Sequence, residues 1–474
     1  MVSVRRWLSS ARARRGVAAA VVVLATGGLV LARSPGGGQA LTFGTAVGKN
    51  ASSFSGPGAS GTLALSQTRV LTGGQSLYAE LKIRGDDEER ARERAPISLA
   101  IVFDTSGSMS GDKIETSKRS VVSLLRQMRA DDEVAFVRYD DHSEVLQPLA
   151  RVGDVREELT RRVQSLEAGG GTNIPPALER GLSAVSDASG GRVRRVVLVS
   201  DGLDSTRDQA ERLARSALDR RVTISALGIG LDFDESYMSA VANAGRGNFG
   251  FVRDGTALAS FLHKELEETA STVVEDARAT LTLPRGMRFV QAIGAETRHA
   301  DDGEVELALG SLFAGDERRI IVELSTDAEQ GESLALGATV SWQKVGGSHT
   351  RAKLAALSVV GDSQKSAVAE SRDPAVYASA VSALASVRQL AAAESFAHGD
   401  EGKAQELLDQ NMAALSAAEA EAPAEVAAQL ARQRADVSAA KSGFRAAKPG
   451  SPKAKALTKA ATEKNNNNLS RSAF

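Results

Sequence analysis

At 474 residues the chain predicts two to four domains of ~100–200 residues each, and 42% apolar with 25% charged residues excludes wholesale disorder. Zero cysteines exclude a disulfide framework, thiolate-held zinc or iron–sulfur clusters, a thiol nucleophile and cysteine lipidation. With 4% aromatics and a formal charge of −1, neither stacking platforms nor polyanion attraction is expected, hence no nucleic-acid partner.

That charge is a sum of unlike parts. Residues 1–15 carry five arginines and no acid, while residues 441–474 carry eight bases against Glu463 alone, so the stretch between them is acidic. Arg5, Arg6, Arg12, Arg14 and Arg15 precede an uncharged apolar run, 16–32, and then small residues up to Ala40. This pattern makes residues 1–40 a signal peptide or, if uncleaved, an N-terminal membrane anchor. The chain is therefore expected to be exported: periplasmic, at the cell surface, or associated with the membrane through residues 16–32.

Residues 41–61, rich in Gly, Ser and Ala, read as a linker. Within 62–95, two alternating stretches (62–70 and 76–84) flank Thr72-Gly73-Gly74-Gln75 and predict a β-hairpin that joins a larger sheet. From residue 97 apolar strands alternate with amphipathic helices, and only one strand pair, across 140–143, has a short connection. Residues 96–275 thus predict an α/β domain, a doubly wound, mostly parallel sheet with helices on both faces. Residues 276–360 return to six short strands and predict a flanking β-sandwich, with the α/β domain inserted in it. Asp373-Pro374 opens a C-terminal α-helical region over 361–440. The Lys/Ala/Asn-rich stretch 441–474 reads as a disordered basic tail.

The chemistry sits at strand ends. The first α/β strand runs into Asp104-Thr105-Ser106-Gly107-Ser108, a D-x-S-x-S loop opening a helix. A later apolar strand ends in Ser200-Asp201-Gly202, and Gly169-Gly170-Gly171-Thr172-Asn173 lies between them in sequence. These are hard oxygen donors, suited to Mg²⁺, Mn²⁺ or Ca²⁺ rather than zinc or copper. If the first and fourth strands are neighbours, Asp104 and Asp201 flank the crevice where the winding reverses. Neutral hydroxyls leave a bound ion electrophilic, favouring a carboxylate from outside as its last ligand. Asp140-Asp141-His142 reads as a solvated turn.

On these three segments, residues 96–275 resemble a von Willebrand factor type A domain, a Rossmann-like fold, with its metal-ion-dependent adhesion site. Ala226-Leu227-Gly228-Ile229-Gly230, Asp234-Glu235 and residues 245–252 resemble the family's later half. The resemblance implies Ser106 and Ser108 as direct ligands, Thr172 as a mobile hydroxyl ligand, and Asp104 and Asp201 acting through water. The flanks resemble exported bacterial proteins of this type and, loosely, inter-alpha-trypsin-inhibitor heavy chains.

The expected function is divalent-cation-dependent protein binding, adhesive or scaffolding, in the cell envelope, with a partner protein's Asp or Glu completing the coordination. One alternative is a subunit or regulator of an envelope assembly, docking through its β-sandwich and C-terminal helices around a structural metal. The other is a metal-dependent hydrolase. Against an enzyme stand Met109 where a nucleophile elbow needs serine, the lack of a phosphate-binding G-x-x-x-x-G-K loop, and five scattered histidines.

Overall fold

The computed structural model describes residues 40–470 apart from 88–94, 187, 189–190, 202–203, 231–232, 253–254 and 302. The signal or anchor expected over 1–40 lies outside the described residues save Ala40, which opens a strand. Among the described residues no helix is long and apolar enough to cross a membrane.

The α/β sheet runs in the order Arg246–Val252, Val222–Ile229, Val193–Ser200, Ile97–Asp104, Glu133–Tyr139, Ser143–Arg151. All neighbours are parallel except the last pair. Parallel neighbours need crossovers. The helices are α1 (Asp112–Gln127), α2 (Val152–Gln164), α3 (Ile174–Ser186), α4 (Arg207–Asp219), α5 (Glu235–Ala244) and α6 (Gly255–Ala270). Ile97–Asp104 is buried at every position, because both of its faces are covered. Leu99, Ile101 and Phe103 enter a core shared with α1, α2 and α6. Ala100 and Val102 point the other way, into a core with α3, α4 and α5. This strand lies between the second and fourth strands of the domain, so the winding reverses at its carboxyl end.

Around this domain the chain builds a β-sandwich from both sides of the insertion. One sheet runs Met287–Ile293, Glu317–Thr326, Gln75–Gly85, Ala59–Leu65, Ala51–Gly56, Thr45–Ala46. The other runs Ala40–Phe43, His349–Lys353, Ser333–Lys344, Thr272–Thr282, Glu304–Phe313, Glu296–Ala300, with Leu357–Asp362 and Arg69–Leu71 off its edge. Their inner faces share one apolar core that includes Leu63, Leu81, Leu307, Leu324 and Trp342.

Two expectations are corrected here. Residues 41–61 are not a linker but strands of both sheets. Their small side chains answer a packing need: Phe54 lies across from Gly61, where a Cβ would meet its ring at 2.5 Å and Lys82 O at 2.1 Å. The hairpin is also looser than expected. Ala59–Leu65 pairs directly with Gln75–Gly85, but Arg69–Leu71 leaves to pair with Leu357–Asp362.

After α7 (Lys365–Glu370), helices α8 (Pro374–Ala397), α9 (Glu401–Glu421) and α10 (Ala424–Arg445) pack together, with Phe396 stacked on Phe444 at 4.3 Å. Asp373 caps α8 by accepting from Ala375 N and Val376 N.

A third correction concerns 441–474. Residues 441–445 complete α10, and α11 (Pro452–Ser470) is a docked helix. Low apolar content does not prevent docking when polar groups find partners. Lys459 is 2% exposed; its Nζ donates to Phe233 O and Glu235 Oε2, each at 2.7 Å, and lies 3.9 Å from the Phe233 ring centroid. Asn466 accepts from Asn243 Nδ2 at 2.8 Å.

Two outcomes follow. Lys459→Ala is expected to lower stability by about 1–3 kcal/mol and to raise hydrogen exchange across residues 452–470, read by mass spectrometry. Glu275 sits half-buried where the α/β domain rejoins the sandwich, and burial pushes its carboxyl up to about 7, with Arg221 and Arg194 opposing. The folded state then holds this proton more tightly than the unfolded chain, so stability falls as pH rises from the ordinary carboxyl range through 7. Glu275→Gln is expected to melt higher than wild type at pH 8 and to lose that advantage at pH 5.

Candidate metal centre

The loop after Ile97–Asp104 is anchored from below. Met109, in the 3-10 turn Gly107–Met109, is fully buried in the core shared with α1 and plugs the loop down. Asp104 and Ser106 are buried, whereas Ser108 reaches the surface. Asp104 Oδ1 accepts from Ser106 N at 2.7 Å, and its Oδ2 accepts from Ser200 Oγ at 2.7 Å and Tyr139 OH at 3.4 Å. Both oxygens are thus committed inward, and Asp104 aims Ser106. Burial pushes the Asp104 carboxyl above its ordinary range; hydrogen bonds from Ser106 and Ser200 oppose that, and nearby Asp201 adds to it.

Asp201 arrives from the neighbouring strand. Its Oδ1 accepts from Ser108 Oγ at 2.7 Å, and the Ser106 and Ser108 hydroxyls lie 3.0 Å apart. Its Oδ2 accepts from Lys113 Nζ, which also donates to Ser108 O at 3.2 Å. Four of the five expected site residues therefore form one connected cluster.

Thr172 joins it through backbone. Gly169 N donates to Thr105 O at 2.8 Å, and Gly107 N donates to Gly170 O at 2.9 Å, laying the 169–173 loop beside the serine loop. Thr172 is half-buried on that loop. The glycines are needed because the loop crosses the 140–142 turn closely. A Cβ at Gly171 would meet Asp141 Oδ1 at 2.3 Å, and Gly170 has φ +79. Asp141, exposed in the turn as expected, also holds this loop, accepting from Gly171 N at 2.8 Å. Asp204 Oδ2 caps the following helix by accepting from Ile174 N at 2.7 Å.

The donors are hydroxyl and carboxylate oxygens, and the cluster already turns Asp201 Oδ2 and Ser108 O onto one cation, the Lys113 ammonium. An arrangement that holds a tethered cation by oxygen atoms alone fits a hard divalent ion. Residue-by-residue reading of the motif missed Ser200, Tyr139, Lys113, Asp141 and Met109. Ser200 and Met109 adjoin motif residues in sequence, which is the one signal they offered. Ser200→Ala is expected to destabilise the fold by about 1.5–3 kcal/mol, since it takes a donor from a buried carboxylate; urea denaturation would measure it.

Comparison with known proteins bears on the α/β domain and the fold around it. Residues 98–264 match the sequence model of the von Willebrand factor type A domain. An uncharacterized protein of Synechocystis sp. is 24% identical over 281 residues, covering 56% of this chain and 66% of its own length. Inter-alpha-trypsin inhibitor heavy chain H2 of Mus musculus is 25% identical over 168 residues, 32% of this chain and 17% of its own. The matched stretch spans less than two thirds of either relative. A solved structure, von Willebrand factor type A from Catenulispora acidiphila, superposes with a TM-score of 0.64 over 85% of this chain and 91% of its own, at 15% identity. That likeness is one of fold, and it extends across the sandwich as well as the α/β domain. The chain carries a von Willebrand factor type A domain, inserted in a β-sandwich and followed by a helical region.

Proposed function

We propose that this chain is a non-enzymatic, divalent-cation-dependent protein-binding protein of the cell envelope, acting through Asp104, Ser106, Ser108, Thr172 and Asp201. The family is mainly one of interaction and adhesion proteins, which supports the coarse reading. One observation carries the finer one: Asp104, committed inward, and Asp201, beside Ser108, orient two serine hydroxyls at the end of a buried strand, with a cation already on Asp201.

A bound Mg²⁺, Mn²⁺ or Ca²⁺ would supply a coordination position for a carboxylate from a partner protein. The residues supply the rest. Ser106 and Ser108 present neutral oxygens, Asp104 holds Ser106 in place, and Asp201 holds Ser108. Thr172 rides on a glycine loop held by backbone hydrogen bonds and by the Asp141 carboxylate, and would be the mobile hydroxyl ligand. The 1–40 segment supports export.

A 510 Å³ cleft between α5, α8 and α11, lined by Phe233, Asn243, Leu390, His398 and Lys455 among others, favours a second reading. There the helices dock an envelope assembly, and the metal is structural.

The test is a pull-down from envelope extract in Mg²⁺ or EDTA, with wild type, Ser108→Ala and Leu390→Glu. The main reading expects a partner that is retained in Mg²⁺, lost in EDTA, and reduced at least ~10-fold by Ser108→Ala, since changing even a residue that only supports a metal ligand commonly costs that much. Binding that ignores EDTA and Ser108→Ala but fails in Leu390→Glu would transfer the function to the cleft.

A further inference from the structure

Lys113 is part of the cluster, yet the serine–aspartate motif does not call for it. It sits in the first turn of α1, and its side chain is 30% exposed against 0% for its partner Asp201. Its stem runs past Gly230, where a Cβ would come within 3.1 Å of Cε and 3.3 Å of Nζ; that residue also has φ +78, so clearance and conformation both favour glycine. The ammonium is therefore seated, not draped over the surface. Among the described residues its ammonium donates to Asp201 Oδ2 and Ser108 O.

The charge count has a consequence. Asp104, Asp201 and Lys113 together carry one net negative charge when ionised. A divalent ion on the hydroxyls takes the cluster to one net positive charge, and an incoming carboxylate then brings it to neutrality. Without Lys113 the ion alone would neutralise the site, and a carboxylate would leave it negative. In a setting where Asp104 and Asp201 are withdrawn from water, such differences are weakly screened.

We propose that Lys113 is a built-in counter-cation that weakens divalent-ion binding and strengthens capture of a carboxylate by the ion-loaded site. It does the first by holding Asp201 Oδ2 with an ammonium that no ion has to bring from solution. It does the second by adding positive charge beside the ion that a carboxylate would meet. The site then favours an ion and an acidic partner together over an ion alone. This deepens the cation-dependent reading above and rests on it.

The test uses full-length protein in detergent: wild type, Lys113→Met and Lys113→Arg. Mn²⁺ is titrated by the electron paramagnetic resonance signal of the free ion, and acetate is then titrated into Mn²⁺-saturated protein by water-proton relaxation. Lys113→Met is expected to bind Mn²⁺ about 10-fold tighter and acetate about 10-fold weaker, the two shifts having opposite signs because one removed charge causes both. Lys113→Arg keeps the charge and is expected to stay near wild type, which separates charge from packing. A Met variant that binds Mn²⁺ no tighter, or acetate no weaker, overturns the inference while leaving the cation reading standing. Absence of Mn²⁺ binding in both wild type and Lys113→Met overturns the cation reading, and the inference with it.

Discussion

The structure turns on a carboxylate taken out of water. Asp104 ends a strand buried on both faces, and its oxygens are met by Ser106 N on one side and Ser200 Oγ with Tyr139 OH on the other. A buried charge is tolerated only when its lone pairs are answered, so three neighbouring strands must hold register for this residue to exist. Register does hold: Asp104 lies opposite Tyr139, and Phe103 opposite Val199. The serine loop is what that arrangement displays.

The surrounding layers hold the domain without covering Ser108. The insertion enters after Gly85 and returns at Thr272, on strands that belong to opposite sheets of the sandwich. The domain is thus gripped at both of its ends. Inside it, Arg195 pairs with Glu265 of α6, and Ser225 donates to the same carboxylate at 2.7 Å, so the central sheet and the helix leading back to the sandwich share one buried polar contact. Lys459 adds a third attachment, from the C-terminal helix to Phe233 and to the first residue of α5, Glu235. Ser108 stays exposed among these attachments.

Legibility in the sequence followed locality. Asp104, Ser106, Ser108, Thr172 and Asp201 could be chosen because hydroxyls and carboxylates at the ends of apolar runs are signals within a few residues. Ser200, Tyr139 and Lys113 are ordinary in their own segments; they matter only because of which strand or helix turn lies beside Asp104 and Asp201. Residues 51–61 misled for a related reason. Gly61 looks like linker composition until Phe54 is seen to occupy the space where its side chain would be. The helix 452–470 misled because composition counts apolar groups, whereas Lys459 and Asn466 are buried by polar partners more than 200 positions away in the chain.

By itself the sequence determined the class of chemistry, all-oxygen and cysteine-free, and the alternation that winds residues 97–270 into a parallel sheet. Periodicity and donor type are properties of short windows, and short windows survive without a fold. Tertiary structure alone decided that Asp104 points inward, that an ammonium sits on Asp201, and that the basic end of the chain folds back as a helix. Those outcomes depend on the burial and partners of single charges, and burial is set by every element packed around them.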